Sequence, residues 1–319
     1  MITTIPPTTP VTASWHDIAH RCLLLAGCAE RFSVQLGTAR LPDPEVVDKV
    51  MRLPAADIAV PPGSGQPFVL AEHLAARGGD IDEHDLAAEL AAAWTGDDTA
   101  TGAGSVLAAV RAGQPWWESA STLYDGQGSY GNGAAVRAIA AGLVPKAGIG
   151  AVAATARRAA AITHTHPLAL DGAAAVAVAV ALSTYGQPSR TLDANRFLDI
   201  VAGQLRCPEL RSCLNIVRAL LRHRAGPAEV VGTVGNADTA LRTVPAALTA
   251  YLRHPEQPDA AIAFALQLAG GNHAIPTITA ALAGARSPQL LTPRSWRTPG
   301  DDMRARRAAR ALSAVQADA

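Results

Sequence analysis

The 319-residue sequence predicts an all-α protein, a bundle of many helices, on three observations. Ala, Leu and Val dominate a chain that is 49% hydrophobic while aromatics fall to 4%, a mixture that favours helix-on-helix packing over a β-sandwich. Apolar residues recur at helical spacing along nearly the whole chain. Breakers are scattered as short turns, at 61–65, 126–133, 186–188 and 270–271, none long enough for a linker between domains. The expected organisation is a disordered Thr/Pro-rich segment over residues 1–13, followed by one helical domain over 14–319.

The periodicity places helices at 16–29, 68–76, 82–94, 105–112, 131–143, 146–161 and 168–182. It continues with 192–205, 208–222, 239–252, 259–268, 275–285 and 301–315. Asp259 and Asp301 open their segments, where a carboxylate favours the helix dipole. Residues 174–182 alternate Val and Ala as a strand would, but their alanine content and the apolar run back to Leu168 favour a buried helix. Gly172 inside it costs about 1 kcal/mol relative to Ala, tolerable where a neighbouring helix approaches closely. The segments do not repeat at a fixed period, which argues against a solenoid.

Lys+Arg and Asp+Glu each number 27. With no basic stripe, nothing points to nucleic acid or to a membrane surface. Cys22/Cys28 and Cys207/Cys213 lack CxxC spacing, so buried free thiols are expected rather than a zinc site. Residues 1–13 have neither the basic nor the apolar region of a secretory signal. The longest apolar run, 172–182, is short of the roughly 20 residues of a membrane span. A cytoplasmic protein of undetermined oligomeric state is expected.

The segment with chemical content is Gly126-Gln127-Gly128-Ser129-Tyr130-Gly131-Asn132-Gly133, which runs into a helix. Glycines let backbone N–H groups turn inward, and the helix adds its free donors and positive end. Together they suit a phosphate or diphosphate. No strand precedes the segment, so its GxGxxG spacing is not a Rossmann fingerprint. Read alone, it is a tight turn as readily as a ligand site.

Residues 128–137, Gly-Ser-Tyr-Gly-Asn-Gly-Ala-Ala-Val-Arg, resemble the GSxGNGxxMR signature of the ADP-ribosylglycohydrolase family. Thr163-His164-Thr165-His166-Pro167 is similar to its Thr-His motif. Val244-Pro245-Ala246-Ala247-Leu248 with Tyr251-Leu252 is similar to its late PAAL helix, Ala269-Gly270-Gly271 and Ala283-Gly284-Ala285 to the ends of its GGDTDT…AGA segment, and residues 70–74 to the helix after its first metal loop. Order and spacing agree from about residue 21 to 287. The resemblance implies an all-α orthogonal bundle with a central cleft. It implies that Gly128, Ser129, Tyr130, Gly131, Asn132 and Gly133 bind the phosphates and proximal ribose of ADP-ribose. By the same resemblance His164 lies near the ribose or adenine, and Asn272 is a further ligand-binding candidate.

The family's paired Mg²⁺ or Mn²⁺ ions are held by a Thr-Asp-Asp loop and an Asp-x-Asp-Thr loop. Here Pro61-Pro62-Gly63 and Gly271-Asn272-His273-Ala274 stand in their places. Mg²⁺ is usually anchored by one or two carboxylates, so no metal and no other cofactor is expected. Catalytic candidates are Glu30, where burial could raise the pKa, and His273. The alternatives are a Glu30 salt bridge with Arg31 and a helix-capping or stacking role for His273. Asp97-Asp98 reads as a solvated turn, Asp171 as paired or at the cleft mouth, and Trp116-Trp117 as core rather than as a purine platform.

Three functions follow: metal-independent cleavage of an N-glycosidic bond in an ADP-ribosyl or NAD-derived small molecule, an inactive ADP-ribose or nucleotide sensor, and a scaffold that uses only its surface. The intact glycine turn weighs against the scaffold.

Overall fold

A computed structural model describes residues 13–60, 64–97, 101–185, 191–287 and 292–315. Among them are sixteen α-helices and three short 3-10 segments, with no strand beyond one bridge between Gly131 and Thr239. The helices are α1 Trp15–Leu36, α2 Pro44–Met51, α3 Gln66–Ala76, α4 Glu83–Ala93, α5 Gly102–Arg111, α6 Trp116–Thr122, α7 Gly133–Arg137 and α8 Ile149–Ala161. They continue with α9 Pro167–Tyr185, α10 Ala194–Gly203, α11 Pro208–Arg222, α12 Pro227–Val234, α13 Ala240–Arg253, α14 Pro258–Ala269, α15 Ala274–Arg286 and α16 Pro299–Ser313. The all-α expectation holds. Twelve of the expected residues in the N-terminal segment, 1–12, lie outside the described residues, as do Pro61-Pro62-Gly63 and Asp98.

α1 starts at a capping box, in which Ser14 accepts from Asp17 N and the Asp17 carboxylate accepts from Ser14 N. Past residue 29 no Gly or Pro occurs until Gly37, so the helix runs seven residues beyond the expected end, and Phe32 and Ser33 are buried in its last turns. Glu30 therefore sits within the helix body, not at its end. The expected helix over 131–143 divides into α7 and a 3-10 segment, Ala138–Leu143, buried along its whole length and in contact with α9. Helices α2, α6 and α12 escaped the periodicity because seven or eight residues give barely two turns of pattern.

α9, α13 and α15 form the interior. Every residue of α15 is buried, between α1 on one side and α13 and α14 on the other. The Val/Ala segment is helical, buried from Ala174 to Ala181 with Leu182 half-buried. At Gly172 a Cβ would stand 2.7 Å from Ala240 Cβ of α13, the close approach that the glycine was expected to serve. The length argument against a membrane span is corrected here. The 18-residue stretch Pro167–Thr184 has a mean hydropathy of 1.6, long and apolar enough to cross, but 78% of it is buried inside the protein. Asp171 is paired, with Arg157 Nη2 at 2.6 Å and the N–H groups of Arg206 and Cys207 at 2.6 Å each. Cys22, Cys28 and Cys207 are buried free thiols, and Cys213 is half-buried.

Candidate active site

A cavity of about 580 Å³ lies where α3, α5, α7 and α15 begin. Gly65-Gln66, Thr101-Gly102-Ala103, Asn132-Gly133 and His273-Ala274 all line it, so four helix N-termini face one space with their positive ends. Among the described residues neither Lys nor Arg lines the wall.

The glycine turn is held from both sides. Gly128 has φ +75°, and a Cβ there would sit 2.0 Å from Thr165 Oγ1. Ser129 is buried and its Oγ accepts from Gly131 N at 3.3 Å. Asn132 N donates to the Asp238 carbonyl and Ala240 N to the Tyr130 carbonyl, tying the turn to the start of α13. Ser129, Gly131, Asn132 and Gly133 line the cavity.

The remaining members of the expected ligand set are placed elsewhere. Gly128 fits the turn against Thr165. Tyr130 is 44% exposed, its ring edge-on to His166 at 5.5 Å. Asn272 is buried behind the wall with its amide fully committed. Its Oδ1 accepts from Ala274 N and Asn132 Nδ2, each at 3.0 Å, and its Nδ2 donates to Ala237 O, Asn236 O and Thr243 Oγ1. It caps α15 and orients Asn132 instead of facing a ligand.

Glu30 reaches the cavity from α1. Burial pushes its carboxyl up to about 7, against the pull of Arg31. The expected alternative, a salt bridge with Arg31, does not form: that guanidinium turns to Asp301 at 2.7 Å and to the Ile58 carbonyl at 2.9 Å. His273 also lines the cavity, with Nδ1 3.0 Å from Ser33 Oγ of α1. Burial lowers its pKa while Asp238 pulls it upward. The helix-capping alternative for His273 falls, since Asn272 supplies the cap and the His273 side chain makes none. His164 lies beneath the glycine turn, its Nε2 3.3 Å from where a Gly131 Cβ would stand. It is held at about 3, first by burial and then by Arg137.

Several cavity residues had no signal in the sequence, Gln66, Thr101 and Thr277 among them. Asp238 brings a second carboxylate, and Trp94 and Tyr124 bring the aromatic surface. Trp117, expected in the core, is 50% exposed, and neither it nor Trp116 lines the cavity.

Residues 65–318 match the sequence profile of the ADP-ribosylglycohydrolase family. The chain belongs to that family. It is 30% identical over 246 residues to the ADP-ribosylhydrolase ARH3 of Homo sapiens, covering 68% of each chain. The Mus musculus ARH3 is 28% identical over 250 residues, 68% of this chain and 66% of that one. The Gallus gallus ARH3 is 29% identical over 205 residues, 56% of each. The chain thus spans between about half and two thirds of the length of these curated relatives. A solved structure described as an ADP-ribosylglycohydrolase-related protein complex superposes with a TM-score of 0.68 at 20% identity, covering 94% of this chain and 98% of that one. That likeness establishes the fold.

For an ADP-ribosylglycohydrolase the resemblance implies a dimetal centre, and the donors present do not fit one. Mg²⁺ takes hard oxygen ligands. The segment in place of the second metal loop puts Gly271, His273 and Ala274 on the wall and spends the Asn272 oxygen on N–H donors. Glu30 and Asp238 are the cavity's carboxylates among the described residues. No group of three His, Cys, Asp or Glu among those residues comes together to hold a metal ion.

Proposed function

We propose that this cavity binds the ADP-ribosyl moiety of a small molecule, itself ADP-ribosylated or derived from NAD, and hydrolyses its N-glycosidic bond without metal. The observation that carries the reading is the meeting of the Ser129–Gly133 turn with Glu30 and His273 around one cavity of about 580 Å³, a volume in the range of small-molecule sites. Family membership and the name of the ARH3 relatives, ADP-ribosylhydrolases, support an ADP-ribosyl ligand.

In this scheme the Ser129 hydroxyl and the N–H of Gly133 at the start of α7 hold the diphosphate, since the Gly131 and Asn132 N–H groups are spent within the turn, and Trp94 and Tyr124 offer aromatic surface to the base. The bond between the ribosyl anomeric carbon and the leaving nitrogen breaks with its electron pair passing to nitrogen. Where that nitrogen belongs to a guanidine, Glu30, raised to about 7 and so still partly protonated near neutrality, gives it a proton; a nicotinamide nitrogen leaves as the neutral base and needs none. The oxocarbenium-like ribosyl cation takes up water. His273, kept neutral by burial and fixed through Ser33, accepts the water's proton. Protonated His273 then releases that proton to solvent, and Glu30, where it has ionised, recovers one from solvent.

The experiment is release of ADP-ribose from NAD and from ADP-ribosyl-arginine, followed by chromatography with excess chelator present. Release that persists with chelator, and that fails for ADP-ribosyl-arginine in Glu30→Gln, supports the reading. A second reading, a binding-only sensor, draws on the absence of a metal-holding cluster among the described residues. Calorimetric binding of ADP-ribose without release from either substrate would establish it and overturn hydrolysis.

A further inference from the structure

We infer that Arg137, buried behind the cavity wall, is a positioning residue that makes two cavity-facing side chains hydrogen-bond donors, so that this wall takes an anionic, acceptor-only group such as a diphosphate. The inference deepens the proposed function and rests on it for the ligand.

Arg137 lies at the end of α7, fully buried. Arginine has five N–H donors and no acceptor, so each group it touches must accept. Nη1 donates to Gln66 Oε1 at 2.7 Å. Nη2 donates to the Ala159 carbonyl at 2.9 Å and to Thr163 Oγ1 at 2.8 Å. The Gln66 carbonyl oxygen is thereby turned inward, and its NH₂ group is left for the cavity that Gln66 lines.

The second path runs through Thr163. A hydroxyl that accepts from Arg137 directs its single proton onward, and His164 Nδ1 lies 2.7 Å away. Nδ1 then accepts, so the one proton of the neutral imidazole resides on Nε2. Burial and the Arg137 charge keep that ring neutral. The Nε2 atom sits under Gly131 and Gly133, and the residue lines the cavity. It offers an N–H to whatever the turn holds.

Charge points the same way. Arg137 is lowered only to about 10 by burial and stays cationic at neutral pH. Among the described residues no carboxylate pairs with it, and its Nε has no acceptor. A buried guanidinium without a counter-charge is costly. An anion bound at the turn, one layer of side chains away, supplies what the protein does not.

The test combines ligand-free ¹⁵N NMR with calorimetry, using ADP-ribose as the anionic probe and adenosine as the neutral one. Wild type should show His164 with Nε2 protonated and Nδ1 bare. Arg137→Met should give a mixture of tautomers and weaken ADP-ribose roughly tenfold to a hundredfold, with adenosine unchanged. Gln66→Glu keeps an acceptor for Arg137, so it retains the fold even if Arg137→Met does not. It replaces the cavity-facing NH₂ by a carboxylate oxygen, and ADP-ribose should again weaken while adenosine does not. A protonated Nδ1 in the wild type, or an unchanged ADP-ribose affinity in Gln66→Glu, overturns the inference. Failure of the wild type to bind ADP-ribose at all would overturn the functional reading and the ligand assignment together, with the tautomer result standing apart.

Discussion

Replacing Glu30 by glutamine removes an ionisable group while keeping its size, and the structure sets both sign and scale of the response. The rise from the ordinary 4.5 to about 7 corresponds to about 3 kcal/mol of preference for the neutral form. A raised carboxylate pKa means that the folded state holds its proton more tightly than the unfolded chain. The stability linked to that proton is whole below about pH 4.5 and is lost as pH rises through about 7. Wild type therefore bears the cost of a buried charge on the alkaline side, and Glu30→Gln bears none at any pH. Because the carboxylate faces a cavity that admits water, the expected gain is nearer to about 2 kcal/mol. Urea unfolding checks it: the variant should match wild type at about pH 5 and exceed it by about 2 kcal/mol at about pH 8.5. Hydrolysis of ADP-ribosyl-arginine should be lost throughout. An equal stability difference at both pH values would mean that packing, not charge, distinguishes the two side chains. The general-acid assignment would then lose its basis.

Two further substitutions probe the turn and the wall behind it. Gly128→Ala sets a Cβ 2.0 Å from Thr165 Oγ1 at φ +75°, so it should cost roughly 2 to 4 kcal/mol and abolish the ADP-ribose-induced rise in Tm; an unchanged rise would show that the turn does not hold the ligand. Asn272→Asp restores the acid of the family's metal loop but cannot donate to the Asn236 and Ala237 carbonyls; it should lose about 3 kcal/mol without rescue by Mg²⁺, and a Mg²⁺-dependent rise in Tm would refute the judgement that these donors do not fit a metal.

The sequence made the helices legible wherever an apolar stripe ran for three turns or more, as in α11, expected and observed over residues 208–222. It made the glycine turn legible because Gly128, Ser129, Gly131 and Gly133 are close in sequence, and Gly128 answers a local backbone demand at φ +75° against Thr165. Asp238, Trp94 and Tyr124 were not legible, because they reach the cavity only when distant segments fold together. Asn272 shows the limit of motif alignment. Its position in the chain suggested ligand contact, but three acceptors behind the wall claim its amide group first. Trp116-Trp117 illustrates the reverse: a conspicuous dipeptide lies on a seven-residue helix with one ring half exposed.

On the proposed reading, the same network sets which hydrogen-bonding partners the cavity offers a ligand in place of the family's ion-binding acids. Backbone carbonyls of residues 236 and 237 fix Asn272 as a donor on that side, which turns its Oδ1 toward Asn132. Asn132 answers with its NH₂, giving also to Thr243 at 3.0 Å. Its own Oδ1 is thus left toward the cavity as an acceptor suited to a ribose hydroxyl. Arg137 imposes the opposite polarity on Gln66 and, through Thr163, on His164 beneath the turn. One side chain accepts and the other two donate, and both settings originate in groups that cannot reverse: carbonyls at one end and a guanidinium at the other. A nucleoside diphosphate sugar carries hydroxyl donors and phosphate acceptors on one molecule, the two kinds of partner these side chains offer. In the proposed hydrolysis the acid at the reacting bond is the raised carboxyl of Glu30, which is why its titration is the measurement on which the catalytic reading turns.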